Sequence, residues 1–195
     1  MNFSLYNILS HLVPGFLVFV ASLNFLGLQP TYFDPVISTA IAYVIGYFVN
    51  TIGAWIEFVL NWTWGGRPSD QLLQGRKCGR IRFSQYEELR GMLSKKLNRE
   101  NADPDTLFKL AMRVADNSGR IEEMNGQYAF ARSMFVAIFI SSAFFGVEHY
   151  GSLAFWVFSF FAFVVSWHRA KERGFYYARE VLFKAMNKLE ENKSR

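Results

Sequence analysis

Charge is missing from long stretches of this chain. Residues 1–33 contain no Asp, Glu, Lys or Arg, and neither do residues 35–56. Residues 133–147 and 150–167 are uncharged as well. About 18 consecutive, mostly apolar residues suffice to cross a hydrocarbon core roughly 30 Å thick. Cysteine is scarce too: Cys78 is the single thiol, which excludes an intrachain disulfide and a cysteine-rich metal site. The sequence holds no G-x-x-x-x-G-K-[ST], H-E-x-x-H, paired C-x-x-C or G-x-S-x-G, motifs whose spacing cradles phosphate, binds zinc or exposes a nucleophile. No nucleophile and base stand at a workable spacing, so no cofactor is expected and an enzyme is the weakest reading. The glycines of "WGGRPSD" are too few for a phosphate loop, and the segment reads as a turn before a capped helix starting at Ser69.

What is present is grease, much of it aromatic. Hydrophobic residues make up 51% of the 195, aromatics 18%, and Phe alone supplies 21, a composition high for a soluble chain of this size. Four spans are expected, over residues 9–28, 36–62, 129–147 and 152–168. The third is short, and Arg132 at its start can extend its guanidinium to an interface.

Charge sorting supports the same layout independently. Of the 21 Lys and Arg residues, 13 fall in residues 67–132 and eight in residues 169–195. None lies in the loop after the first expected span or in the loop after the third. Basic residues stay on the cytoplasmic side, so the middle segment, the tail and both termini are expected inside. The expected fold is all-α: a polytopic membrane protein with four transmembrane helices as two hairpins (1–64 and 128–168), a helical cytoplasmic insert (65–127) and a C-terminal amphipathic helix (169–195). The localisation that follows is the bacterial inner membrane. No cation precedes the first apolar run and its cleavage site is poor, so that span reads as retained.

Trp62, Trp64, Trp167 and His168 stand where spans two and four should meet headgroups. The net charge of +5 is explained by juxtamembrane basicity against anionic lipid, and no direct nucleic-acid contact is expected. Arg76, Lys77, Arg80, Arg82, Arg169, Lys171 and Arg173 are the candidates for contact with lipid or with a cytosolic protein partner.

The insert should hold two short helices. Ser84 with Glu87 forms the pattern of a capping box, followed by Tyr86, Leu89, Met92, Leu93 and Leu97 at helical spacing. Asp103 and Pro104 open the second helix, Asn117, Ser118 and Gly119 close it, and Leu107, Phe108, Leu110, Ala111, Val114 and Ala115 form its apolar face. These helices bury little alone and must pack on each other, on the spans or on a neighbouring subunit. From Arg120 one helix can run on into the third span, although Gly126 weakens it. In the tail, Phe175, Ala178, Leu182, Ala185, Met186 and Leu189 share one face, which suits either a membrane surface or a protein partner.

Inside the spans the polar residues are His11, Asn50, Thr51, Glu57 and Asn61. Asn50, Glu57 and Asn61 fall near one helical face, a candidate polar seam or pore lining whose alternative is ordinary inter-helix hydrogen bonding. Pro14 and Gly15 should interrupt the first span. Gly46 and Gly53, two turns apart, let another backbone approach, either within the chain or in a homo-oligomer. Asp34, Glu148 and His149 read as solvated loop charges rather than a cation site or pH sensor.

The segments "NILSHLVPGFLVF", "AYVIGYFVNTIGAWIE", "GGRPSDQLL", "EEMNGQYAFARSM" and "FYYAREVL" together resemble small prokaryotic four-span membrane proteins of antiphage defence loci. That group includes the membrane subunit of the Kiwa system and the pore-forming accessory of type VI-B CRISPR loci. The resemblance implies an oligomeric inner-membrane protein that acts with a cytosolic partner, sensing or permeabilising the envelope. It departs from HEPN-like ribonucleases, because none of His11, His149 and His168 has an Arg at the required upstream distance, so RNA cleavage is not expected. The leading expectation is a non-enzymatic membrane component of a defence complex; an ion channel or small-solute transporter using the polar seam is the alternative.

Overall fold

The structure, a computed structural model, describes residues 5–29, 33–76, 78–79, 81–98, 102–115 and 119–194. Among them are eight helices: α1 (Leu5–Phe25), α2 (Pro35–Trp55), α3 (Glu57–Thr63), α4 (Pro68–Leu73), α5 (Tyr86–Leu97), α6 (Pro104–Ala115), α7 (Gly119–Glu148) and α8 (Leu153–Ser194). No strand occurs among the described residues; Cys78 and Ile81 form an isolated bridge. The fold is all-α, and α1, α2, α7 and α8 are long and apolar enough to cross a membrane, as a multi-pass membrane protein requires.

Several local expectations give way. Helix α1 runs unbroken through Pro14. Proline removes one backbone donor but does not end a helix whose surroundings hold it, and Ser10 and Pro14 are both fully buried. The second apolar run, expected to continue to residue 62, ends at Trp55. The chain leaves regular geometry at Ile56 (φ −80°, ψ −1°), and a new helix starts on Glu57, whose negative charge suits a helix N-terminus. Ser84 is not a cap: α5 begins after Gln85 with no side-chain cap, and Glu87 instead accepts the Tyr86 hydroxyl at 2.9 Å. Helix α4 opens on Pro68 rather than Ser69, since proline is pre-set for the first helical position. Helix α6 starts at Pro104 as its spacing predicts; of its expected stop signals, Asn117 and Ser118 lie outside the described residues, and Gly119 begins α7.

The chain forms two compact units, Met1–Glu57 with Gly126–Ala170, and Phe58–Asn125 with Lys171–Arg195. In the first, α1 and α2 pack antiparallel, with Gly15 against Ala42 and Gly46, and Gly46 against the His11 backbone. Phe19, Leu23 and Ala42 form the local core. Aromatic packing joins α7 to α8, with the Phe135 and Phe163 rings 4.6 Å apart. Much apolar surface stays uncovered: Phe158 is 73% exposed and Phe160 70%.

The second unit covers its grease with protein. Leu72 and Leu73 of α4, Leu89 and Leu93 of α5, Leu107 and Ala111 of α6, and Phe175, Val181, Leu182 and Met186 of α8 share one buried core. The apolar face of the tail is therefore occupied within the chain. Burying a large apolar side chain completely is worth about 1.5–3 kcal/mol, and none of these helices makes that gain alone. Arg67 and Lys109 both pair with Asp105 at the start of α6. The Lys109 hydrogen bond, helped by Arg67, holds the Asp105 carboxyl below the usual carboxylate range, whereas burial pushes Asp70 up.

Two outcomes follow for this unit. Phe175→Ala should lower its stability by about 3–5 kcal/mol, read as loss of protection in hydrogen exchange across α4, α5 and α6. Asp105→Asn should cost less than about 1 kcal/mol near neutral pH, because the pair is exposed. A depressed folded-state pKa stabilises above the ordinary carboxylate pKa. The deficit should therefore close as pH falls through the Asp105 value, which pH-dependent melting would report.

Candidate functional site

The polar groups of the first unit converge where α1, α2 and α7 meet. Ser10 and His11 follow one another on α1, with Ser10 Oγ 3.1 Å from His11 Nδ1. His11 Nε2 lies 3.2 Å from Asn50 Nδ2, and Ser133 Oγ donates to Asn50 Oδ1 at 3.0 Å. With the Asn50 amide nitrogen as donor, Nε2 must accept, which leaves the imidazole proton on Nδ1 facing Ser10. The His11 ring lies 5.6 Å from Tyr43 and 6.1 Å from Tyr47, one helical turn apart on α2. Ser10 beside a histidine resembles a nucleophile and base, but Ser10 is only 2% exposed.

One residue earlier on α7, Arg132 forms an ion pair with Glu57. Its guanidinium carbon sits 5.2 Å from the Tyr128 ring centroid, within range of a cation–π contact. A Cβ added at Gly53 would come within 3.3 Å of the Arg132 stem, so the absent side chain makes room for it. Arg132 Nε is buried without a hydrogen-bond partner among the described residues. Consecutive residues of α7 thus engage two polar positions of the second apolar run, Arg132 taking Glu57 and Ser133 taking Asn50.

Of the candidate seam, Asn50 and Glu57 lie in the first unit with partners on α7, and Asn61 lies on α3 in the second, buried with Oδ1 unpartnered among the described residues. Trp64, expected at headgroups, is instead buried at 4% exposure with its Nε1 likewise unpartnered. The chain turns back after α3, where Gln71 Nε2 donates to the carbonyls of Trp64 and Gly66. Trp62 is 79% exposed, as an interfacial aromatic would be. Gly46 and Gly53 both meet partners within the chain, the His11 backbone and the Arg132 side chain.

The loop charges are tied down. Asp34 accepts the Val36 amide at 2.8 Å and caps α2, and Asn24 Nδ2 donates to Glu148 at 2.6 Å. His149 packs 5.6 Å from the Phe155 ring. No group of three or more potential metal ligands occurs among the described residues. Of the basic candidates, Arg76, Arg82 and Arg169 are exposed, while Lys171 and Arg173 are half-buried. Lys77 and Arg80 lie outside the described residues. Burial pushes the Cys78 thiol up, which leaves it protonated and slow to react. A cavity of about 370 Å³ between α7 and α8, lined by residues such as Phe139, Trp156, Phe160 and Phe163, contains no titratable group.

Sequence reasoning identified Asn50 and Glu57 but not their partners. Arg132 is 75 positions from Glu57 and Ser133 is 83 from Asn50. The available signal was that Glu57 and Arg132 are lone opposite charges, each at the edge of an uncharged run.

A Cβ on Gly46 would overlap the His11 carbonyl, so Gly46→Ala should destabilise the first unit by roughly 1–3 kcal/mol, measured as a lower melting temperature in detergent. In a double-mutant cycle, Glu57→Gln and Arg132→Gln should each destabilise, and the double variant should lose about 1–3 kcal/mol less than the sum.

No protein-family model, curated protein or solved structure matches this chain.

Proposed function

We propose that the chain is a multi-pass protein of the bacterial inner membrane. Its four apolar helices cross the bilayer as two hairpins, and the insert and tail form one helical domain on the cytoplasmic side. On this reading it is a non-enzymatic, homo-oligomeric membrane component of an antiphage defence system, which senses or perturbs the membrane together with a cytosolic partner. The observation that carries the membrane assignment is the division of surface. Side chains such as Phe158 and Phe160 stay exposed along membrane-length helices, while every Lys and Arg falls in residues 67–132 or 169–195. Lipid covers the first kind of surface, and the positive-inside rule orients the second. The defence setting rests on the resemblance of the five sequence segments.

The channel alternative has less support. Asn50 and Glu57, the residues that would line a path, are both engaged by α7, as in a packed inter-helix contact.

Topology is tested by single cysteines on a Cys78→Ser background, since native Cys78 is half-buried. Arg82→Cys should label with an impermeant maleimide only after the inner membrane is opened, and Tyr150→Cys should label from the periplasm without opening it; the reverse pattern contradicts the orientation. Co-expression with a soluble protein encoded beside it should protect cells from phage and yield a complex of the two. Ion flux in reconstituted vesicles, abolished by Glu57→Ala, would favour the channel instead.

A further inference from the structure

The second unit carries a groove that the reading above leaves unused. It lies between the start of α7 and the stretch of α8 that follows the apolar run, and it encloses about 220 Å³. Its lining is Arg120, Met124, Arg173, Tyr176, Arg179 and Glu180. Helical spacing explains the convergence: Arg120 and Met124 are four apart on α7, while Arg173, Tyr176 and Glu180 recur along one face of α8. Pockets for drug-sized ligands run to roughly 300–1,000 Å³, so this one has room for a single compact group. Three guanidiniums against one carboxylate give the lining a formal charge of +2.

The carboxylate has a task of its own. Glu180 Oε1 lies 3.0 Å from Arg120 Nε, a contact that orients the Arg120 guanidinium and joins α7 to α8. The Arg173 guanidinium carbon sits 6.0 Å from the Tyr176 ring centroid, at the outer limit of a cation–π contact that would steady its side chain. Arg179 is exposed and has no ion pair among the described residues.

We propose that this groove binds a phosphate group, carried either by an anionic lipid headgroup or by a soluble phosphate compound. Planar guanidinium forks match the oxygens of phosphate, which can meet several donors at once. A phosphate, whether a diester at about −1 or a monoester at about −1.5 to −2 near neutral pH, is attracted by a net positive lining, and it presents more oxygens to the guanidiniums than the two of a carboxylate. A nucleic-acid strand would call for a basic stripe rather than a compact groove. The lipid source rests on the membrane reading: Arg173 follows Trp167, the last residue of the apolar run, by six positions, and anionic headgroups gather at such junctions. The soluble source does not depend on that reading.

The test uses the full chain purified in a neutral-headgroup detergent and follows binding by calorimetry. The probes are dihexanoyl phosphatidylglycerol, dihexanoyl phosphatidylcholine and inorganic phosphate. Saturable binding of the glycerol lipid but not the choline lipid or phosphate supports the headgroup source, and binding of inorganic phosphate supports the soluble one. Arg173→Gln/Arg179→Gln should weaken binding by about tenfold or more. Arg90→Gln/Arg113→Gln, which removes the same charge from exposed positions on α5 and α6, should change it by less than about twofold. The wild-type chain supplies a second readout that needs no variant: the bound probe should protect Arg173 and Arg179 from phenylglyoxal. Binding by neither anionic probe, equal loss in both double variants, or absence of protection at these arginines overturns the proposal. Failure of the membrane reading would show separately, in the cysteine-labelling pattern.

Discussion

Apolar surface has to be covered, and what covers it differs between the two units of this chain. In the second unit the protein does it: α4, α5, α6 and the last part of α8 close around Phe175, Leu182 and Met186. In the first unit only part is covered from within, and of the apolar window in α8 just 11% is buried. Helices that satisfy their own backbone hydrogen bonds can leave such side chains facing lipid, where exposure costs nothing. In water the same surface would drive aggregation.

Given that constraint, polar groups inside the first unit gain from partners in the chain, since lipid offers none. Helix α7 supplies them in consecutive positions, with Arg132 on Glu57 and Ser133 on Asn50. The glycines serve the same packing: Gly15 and Gly46 let α1 and α2 approach, which brings His11 within reach of Asn50. Polar pairing and close backbone packing are thus parts of one arrangement.

The helical class and the four membrane-length helices were legible in the sequence because they depend on run length and composition, which are local. The tail's apolar face, from Phe175 to Met186, was legible as a face, but what covers it was not, because α8 meets the insert roughly a hundred residues away along the chain. Asn50 and Glu57 stood out as polar residues in greasy surroundings. Their partnership with Ser133 and Arg132 depends on tertiary register, which periodicity does not encode. The break at Ile56 escaped notice for a related reason: no proline or glycine marks it. Residue type marks Trp64 as an aromatic suited to an interface, but nothing in its spacing announced that the side chain would be buried within the chain.

The central claim is that the first unit is covered by lipid. Alkaline carbonate extraction of membranes from cells expressing the intact chain tests it most directly, since it strips proteins held only by surface charge and leaves those that cross the hydrocarbon. The chain should remain in the membrane pellet and be released by detergent alone. Recovery in the carbonate supernatant would contradict the account.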